Sequence, residues 1–197
     1  MSILVLASNN AHKLEEVSRI LEPLGIQVRP IEDFPDIPEP PETADTFEGN
    51  ALQKARFVFE RTGLSTIADD SGLEVDALNG APGVYSKRFT PEATAASNNA
   101  RLLMELEGVQ ERTARFVCAL ALVTHTGERA VRGTVEGEIG LSLKGEGGFG
   151  YDPLFLPNEA PGKAMAELTP AQKDKISHRG RALSALPEML SALQSAS

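Results

Sequence analysis

The chain opens on an unbroken apolar run, Ile3-Leu4-Val5-Leu6-Ala7, which reads as a fully buried strand. Ser8-Asn9-Asn10 then supplies helix-capping residues. Leu14, Val17, Ile20 and Leu21 recur at helical spacing, and Pro23 and Gly25 close the element. Ile26–Arg29 is a candidate second strand. A second helix is predicted after Thr46, with Phe47, Ala51, Leu52, Ala55, Val58 and Phe59 on its buried stripe and Gly63 as its stop. Ser65–Ala68 reads as a short strand ending at Asp69-Asp70-Ser71-Gly72. Thr90-Pro91-Glu92 reads as a cap and helix start, with Leu102, Leu103 and Leu106 buried. Ala114–Thr124 is apolar on both faces, as a central strand should be. Thr126-Gly127-Glu128 turns it back into Ala130–Glu136, a predicted antiparallel partner. Leu154–Leu156 is a further short strand, and Thr169-Pro170-Ala171-Gln172 has the form of a capping box. The last helical region carries Leu183, Leu186, Met189, Leu190 and Leu193, and Pro187 should bend or divide it. Early strands alternating with helices and later antiparallel strands predict a mixed α/β domain.

One stretch resists this reading. Asp33–Pro41 holds Pro35, Pro38, Pro40 and Pro41 among acidic residues, so it forms no regular element. It is either a linker or an ordered, extended loop beside a site.

Length and charge narrow the picture. At 197 residues the chain is expected to form a single domain, residues 1–197, able to hold a core without disulfide or metal. Its net charge is −9, from 19 basic and 28 acidic residues, which argues against broad binding to nucleic acid or to an anionic membrane. The single cysteine, Cys118, suits a reducing compartment. No apolar run has the length of a membrane span, and a cytoplasmic location is expected.

Four segments carry candidate chemistry. Ser8-Asn9-Asn10-Ala11-His12-Lys13 joins a buried strand to a helix start, where N–H groups, polar side chains and the Lys13 charge suit a phosphate. Asp69-Asp70 sets two carboxylates side by side, which either hold Mg²⁺ through oxygen or form a solvated turn. Ser71 is no nucleophile, because the G-x-S-x-G elbow is absent. Gly145-Glu146-Gly147-Gly148-Phe149-Gly150 matches G-x-G-x-x-G, but Tyr151-Asp152-Pro153 follows where a dinucleotide fold needs a helix. Its glycines allow close backbone approach to a ligand or a flexible hairpin; Phe149 and Tyr151 either stack on a planar ring or pack inward. Lys173, Lys175, His178 and Arg179 form a basic group in an acidic chain. It is either a solvated helix face or, through His178 and Arg179, a set of donors for a base carbonyl. Together these parts describe a site for a nucleoside phosphate.

The same segments, in the same order, resemble the inosine/xanthosine triphosphate pyrophosphatases, which clear non-standard purine nucleotides from the nucleotide pool. The markers are Ser8–Lys13, Thr46-Phe47 with Asn50-Ala51 and Lys54-Ala55, Ala68–Gly72, Gly80–Ser86, Gly147–Pro153 and Ile176–Gly180, and the match runs nearly end to end. The resemblance implies an elongated, two-lobed α/β domain with a central mixed sheet flanked by helices. It also implies a homodimer, Mg²⁺ dependence, and cleavage of ITP, dITP or XTP to the monophosphate and pyrophosphate. By motif position, Ser8, Asn9, Asn10, Ala11, His12 and Lys13 grip the triphosphate and Lys54 assists. Asp70 is implied as general base and, with Glu42, as metal ligand. Ser71, Phe149, Gly150, Tyr151, Asp152, Lys173, His178 and Arg179 are implied along the nucleoside. Gly49 stands where the family often has Glu, with Glu48 one position earlier. Two other readings are a Maf-like pyrophosphatase for other modified nucleotides and a catalytically silent nucleotide-binding module.

Overall fold

A computed structural model describes residues 2–194. It contains a six-stranded sheet in the order β2-β1-β3-β4-β5-β6. The strands are β1 (Ser2–Leu6), β2 (Ile26–Pro30), β3 (Thr66–Val75), β4 (Thr113–Thr124), β5 (Gly127–Ile139) and β6 (Phe155–Pro157). The helices are α1 (Ala11–Leu21), α2 (Phe47–Thr62), α3 (Ala95–Glu105), α4 (Pro170–Ile176), α5 (His178–Ser184) and α6 (Leu186–Gln194). β1 runs parallel to β2 and β3, whereas β5 and β6 are antiparallel. Only His125 and Thr126 separate β4 from its neighbour β5, a connection too short for a parallel crossover. The sheet is mixed, as expected, and the chain is of α/β class.

The chain divides into two compact units. Among the described residues, the first comprises 2–70, 118–133 and 179–194. Its core joins Leu4 and Leu6 of β1, Val17 and Leu21 of α1, and Ile67 of β3. Leu120 and Leu122 of β4 and Leu183, Leu186 and Met189 of the last helices complete it. The second comprises residues 71–117 and 134–178. Its core joins Leu73 and Val75, Leu102 and Leu106, Phe116, Ile139, Tyr151, Phe155 and Met165.

Local chemistry explains most boundaries. Asn10 caps α1, its side chain accepting from the amides of His12 and Lys13. Thr46 caps α2 through Gly49 N–H, and Gly63 ends it in the left-handed conformation at φ 65°. Thr169 and Gln172 form the expected capping box on α4. The last helical region is divided at Ala185, two residues before Pro187. Gly137 of β5 pairs with β6 at a distance that excludes any side chain. A Cβ there would lie 2.3 Å from the Leu156 carbonyl oxygen.

Two expectations need correction. β3 does not stop at Ala68. The strand is ten residues long and runs on through Asp69-Asp70-Ser71-Gly72 to Val75, so these residues are strand and not turn. The turn propensity of Asp-Ser-Gly yields to burial: Ile67, Ala68, Leu73 and Val75 on either side are fully buried. α3 starts at Ala95 and not at Thr90. Thr94 caps it in a reciprocal box with Ser97. Thr90 is instead held outside the helix, its N–H donating to Asn98 Oδ1 at 2.9 Å.

The proline-rich stretch forms no helix or strand after Asp33, and within it Ile37 N–H donates to the Phe34 carbonyl at 3.0 Å. Ile31–Asp33 makes one 3₁₀ turn. Further on, the chain is stapled to α2. Thr43 N–H donates to Gln53 Oε1 at 2.9 Å, Gln53 Nε2 returns a bond to Thr43 Oγ1 at 2.8 Å, and Ala44 N–H donates to Asn50 Oδ1 at 2.9 Å. Prolines remove alternative backbone bonds, and α2 side chains supply the ones that fix the path.

Candidate active site

In the first unit, the side chains singled out near the N-terminus, on α2 and on β3 converge. Asp69 and Asp70, as neighbours on a strand, point to opposite faces. Asp69 is 1% exposed and Oδ2 is its anchor. That oxygen accepts from Lys13 Nζ at 3.0 Å, and from Arg179 Nε and Nη2 at 3.2 and 3.0 Å. Arg179 also bonds Glu16 of α1 through Nη1. Burial works against the Arg179 charge. Asp69 and Glu16 outweigh it and hold the guanidinium above its ordinary range.

On the other side, Asp70 lies between two α2 residues one turn apart. Asn50 Nδ2 donates to its Oδ2 at 3.0 Å, and Lys54 Nζ is 3.6 Å from its Oδ1. The same ammonium lies 2.6 Å from Glu42 Oε1. Lys13 and Lys54 also meet at one atom, the Asp69 carbonyl oxygen, at 3.3 and 2.8 Å. Two ammonium groups at one carbonyl, Lys54 buried and Lys13 partly so, make a strong local demand for negative charge.

The titration directions follow from this packing. Burial raises the Asp70 carboxyl above the usual range, and Lys54, Lys13 and the Asn50 bond offset it only in part. Burial lowers Lys13, opposed by Asp69 and reinforced by Lys54 and Arg179. Burial also works against the Lys54 charge, but Asp70 and Glu42 prevail and raise it.

The fit to Mg²⁺ can be judged from the donors. Asp70 and Glu42 both reach the same ammonium, so their oxygens border a common position. Hard oxygen donors suit Mg²⁺, which commonly takes one or two carboxylates and leaves its other positions to water and phosphate. Among the described residues no set of three or more His, Cys, Asp or Glu converges. The residues present therefore fit a Mg²⁺ shared with a ligand, and not a protein-only cage.

Ser8, Asn9, Asn10, Ala11 and His12 build the α1 start, and Ser8 Oγ accepts from Asn10 N–H at 3.2 Å. The amides of His12 and Lys13 go to Asn10 Oδ1.

In the second unit, the glycine segment is explained by the protein itself. Gly147 N–H donates to Ala166 O at 3.1 Å, and a Cβ on Gly147 would sit 2.8 Å from that oxygen. At Gly148, with φ +71°, a Cβ would fall 2.0 Å from Asp152 Oδ2. Asp152 Oδ2 accepts from Phe149 N–H at 2.8 Å and from Lys173 Nζ at 2.7 Å. That ammonium is 4.9 Å from the centre of the half-buried Phe149 ring. Asn99 Nδ2 of α3 fixes the Gly150 carbonyl at 2.9 Å. Phe149, Gly150, Asp152 and Lys173 are thus brought together. Ser71, half-buried on β3, is the first residue of this unit.

Three side chains sit differently from their expected roles. Tyr151 faces inward: it belongs to the core, and its hydroxyl donates to Ser86 O at 2.9 Å. Burial raises its phenol. His178 is buried and stacked on Phe116, with ring centres 4.9 Å apart. Arg179 gives its donors to Asp69 and Glu16. The basic run is therefore not one cluster: Lys173, His178 and Arg179 are buried with different partners, and Lys175 is exposed. Glu48, beside Gly49, lies 3.4 Å from Arg132 of β5.

Glu16, Asn50 and Asn99 were not anticipated as site residues. Glu16 had a signal: it follows Lys13 by three positions and adjoins buried Val17, so a carboxylate falls on a core-facing stripe. Asn50 had one too, being four residues before Lys54. Asn99 had none.

The model of the Ham1 family matches residues 4–189. A dITP/XTP pyrophosphatase of Exiguobacterium sp. is 53% identical over 91% of this chain and 92% of its own length. One from Geobacter sulfurreducens is 50% identical over 96% and 97%. Among solved structures, a HAM1 protein from Coxiella burnetii superposes with a TM-score of 0.85 at 41% identity, covering 98% of this chain and 100% of that one. With the family model spanning most of the chain and relatives at about half identity, this protein belongs to the Ham1 family.

Proposed function

We propose that the protein hydrolyses non-standard purine nucleoside triphosphates (ITP, dITP and XTP) to the monophosphate and pyrophosphate. The observation that carries the reading is the Asp70 site: a buried carboxylate held by Asn50 and Lys54, beside Glu42, with Lys13 and Lys54 converging on one carbonyl. The names of relatives at 50–53% identity support the substrate class.

In this mechanism Lys13 and Lys54 turn from the Asp69 carbonyl to the phosphate oxygens, offsetting the charge that builds there. Asp70 accepts a proton from water as its oxygen attacks the α-phosphorus. The new P–O bond forms as the bond to the bridging oxygen breaks, and pyrophosphate departs with that electron pair. Glu42 and Asp70 would hold Mg²⁺, which when bound neutralises phosphate charge. Burial favours the proton on Asp70 once transferred. Phe149, carried on the Gly148–Gly150 turn, offers a ring face to the base, and Lys173 and Asp152 fix that turn. A donor at O6 accepts hypoxanthine and xanthine and mismatches adenine. We place the enzyme in the cytoplasm as a homodimer; light scattering at about twice the chain mass tests the second point. Among the described residues no helix is long and apolar enough to cross a membrane.

The deciding experiment supplies Mg²⁺ with equal ITP, XTP, ATP and GTP and identifies the phosphate product. Pyrophosphate from ITP and XTP, with little from ATP or GTP, is expected, and Asp70→Asn should bind nucleotide yet lose about 10²–10⁴-fold in turnover. Orthophosphate, or indifference to the base, would overturn the reading. Binding without turnover would favour the silent module, and a modified pyrimidine triphosphate added to the same panel and cleaved in preference would favour the Maf-like reading.

A further inference from the structure

The geometry points to Asn50 as the positioning residue that sets Asp70 and Glu42 toward a shared divalent cation. This rests on the reading of Asp70 and Glu42 as the metal-binding pair. Asn50 is 1% exposed and lies one turn before Lys54 on α2. Its amide has only one workable orientation. Ala44 N–H can only donate, so the atom it meets at 2.9 Å must be Oδ1. The Nδ2 group is thereby turned to Asp70 Oδ2 at 3.0 Å. A flipped amide would set donor against donor at Ala44 and acceptor against carboxylate at Asp70.

The contacts form a closed circuit. Asn50 holds one oxygen of Asp70, and Lys54 lies 3.6 Å from the other. Lys54 lies 2.6 Å from Glu42, and two residues further along the backbone Ala44 returns to Asn50. One turn of one helix therefore fixes the rotation of Asp70 and the path of the loop that carries Glu42. Lys54 can leave this circuit for a phosphate. Asn50, neutral and bonded at both ends of its amide, has no charge to offer a phosphate and stays to keep the two carboxylates in place. Groups that orient metal ligands typically change affinity or activity by about 10- to 100-fold when removed.

The test uses the full chain with Asn50→Ala and Asn50→Leu, and Gln53→Ala as a control that loosens the same loop at Thr43 without touching Asp70. Because the metal position is completed by a ligand phosphate, Mn²⁺ is titrated into protein saturated with the product inosine monophosphate and followed by the paramagnetic resonance of the unbound ion; turnover of ITP is measured separately. Both Asn50 variants should bind Mn²⁺ about 10- to 100-fold more weakly, and kcat should fall comparably while KM changes little. Gln53→Ala should stay near wild type in both. Unchanged Mn²⁺ affinity, a raised KM with kcat retained, or equal losses in Gln53→Ala would each overturn the assignment. Asp70→Asn separates the two claims. If it keeps full turnover, the reading of the site fails. If it is inactive while the Asn50 variants match wild type, only the positioning role fails.

Discussion

The two units hold their polar groups by different means. In the first, charge is set against charge: Asp69 of β3 faces Lys13 of α1 and Arg179 of α5, and Glu16 closes the group from α1. In the second, shape comes first. Gly147 and Gly148 let the backbone lie against Ala166 and Asp152 where no side chain would fit, and one ion pair, Lys173 with Asp152, sits beneath Phe149. A charge network fails when one member is removed, because the remaining charges stay buried. A close-packed turn fails when an atom is added.

Removing one charge from the first unit should therefore be the most severe change. Asp69→Leu removes the carboxylate that Arg179 and Lys13 share, while Glu16 remains on Arg179. A loss of about 3–5 kcal/mol is expected in urea unfolding. A loss under about 1 kcal/mol would mean that water reaches these groups and screens them as at a surface.

Adding one methyl to the second unit should cost less and should depend on position. Gly148→Ala combines a left-handed φ of +71° with a Cβ 2.0 Å from Asp152 Oδ2, so about 1–3 kcal/mol is expected. Gly150→Ala has a similar φ of +63° but nothing within 4 Å, and only the conformational cost of about 1–2 kcal/mol should remain. Thermal unfolding of the pair checks the order. Equal losses would show that Asp152 moves aside and that the turn is looser than its contacts suggest.

What was legible in the sequence follows the same division. Elements marked by local chemistry were readable: Asn10 and Thr46 as caps, Gly63 as a stop, the apolar run of β4. That Lys13, Lys54 and Asp70 lie together, and Phe149 with Asp152 and Lys173, was legible only through the ordered motifs that carry the family resemblance. Turn-forming residues inside a strand were not, since Asp69-Asp70-Ser71-Gly72 takes its conformation from the sheet and its buried neighbours. Nor was the sorting of Lys173, His178 and Arg179 to different partners. Adjacent positions on a chain share composition but not surroundings, and only packing separates a buried ion pair from an exposed lysine such as Lys175.

The smallest effect concerns a carboxylate whose burial opposes its charge. Asp70 is buried, and its carboxyl is raised above the ordinary range, by burial first and against the pull of Lys54 and Lys13. Between the ordinary carboxylate pKa and the raised one, the folded protein binds more protons than the unfolded chain. Stability must then fall as pH rises through that window, the reverse of a salt-bridged aspartate. Asp70→Asn removes the group that titrates. In buffer free of divalent cations, the variant should melt higher than wild type near neutrality. The difference should vanish below about pH 3, where an ordinary carboxylate is already protonated. A variant that melts lower at neutral pH would show that attraction to the two lysines outweighs burial. Asp70 would then resemble Asp69 energetically, and the first unit would hold no carboxylate kept for function at the expense of stability.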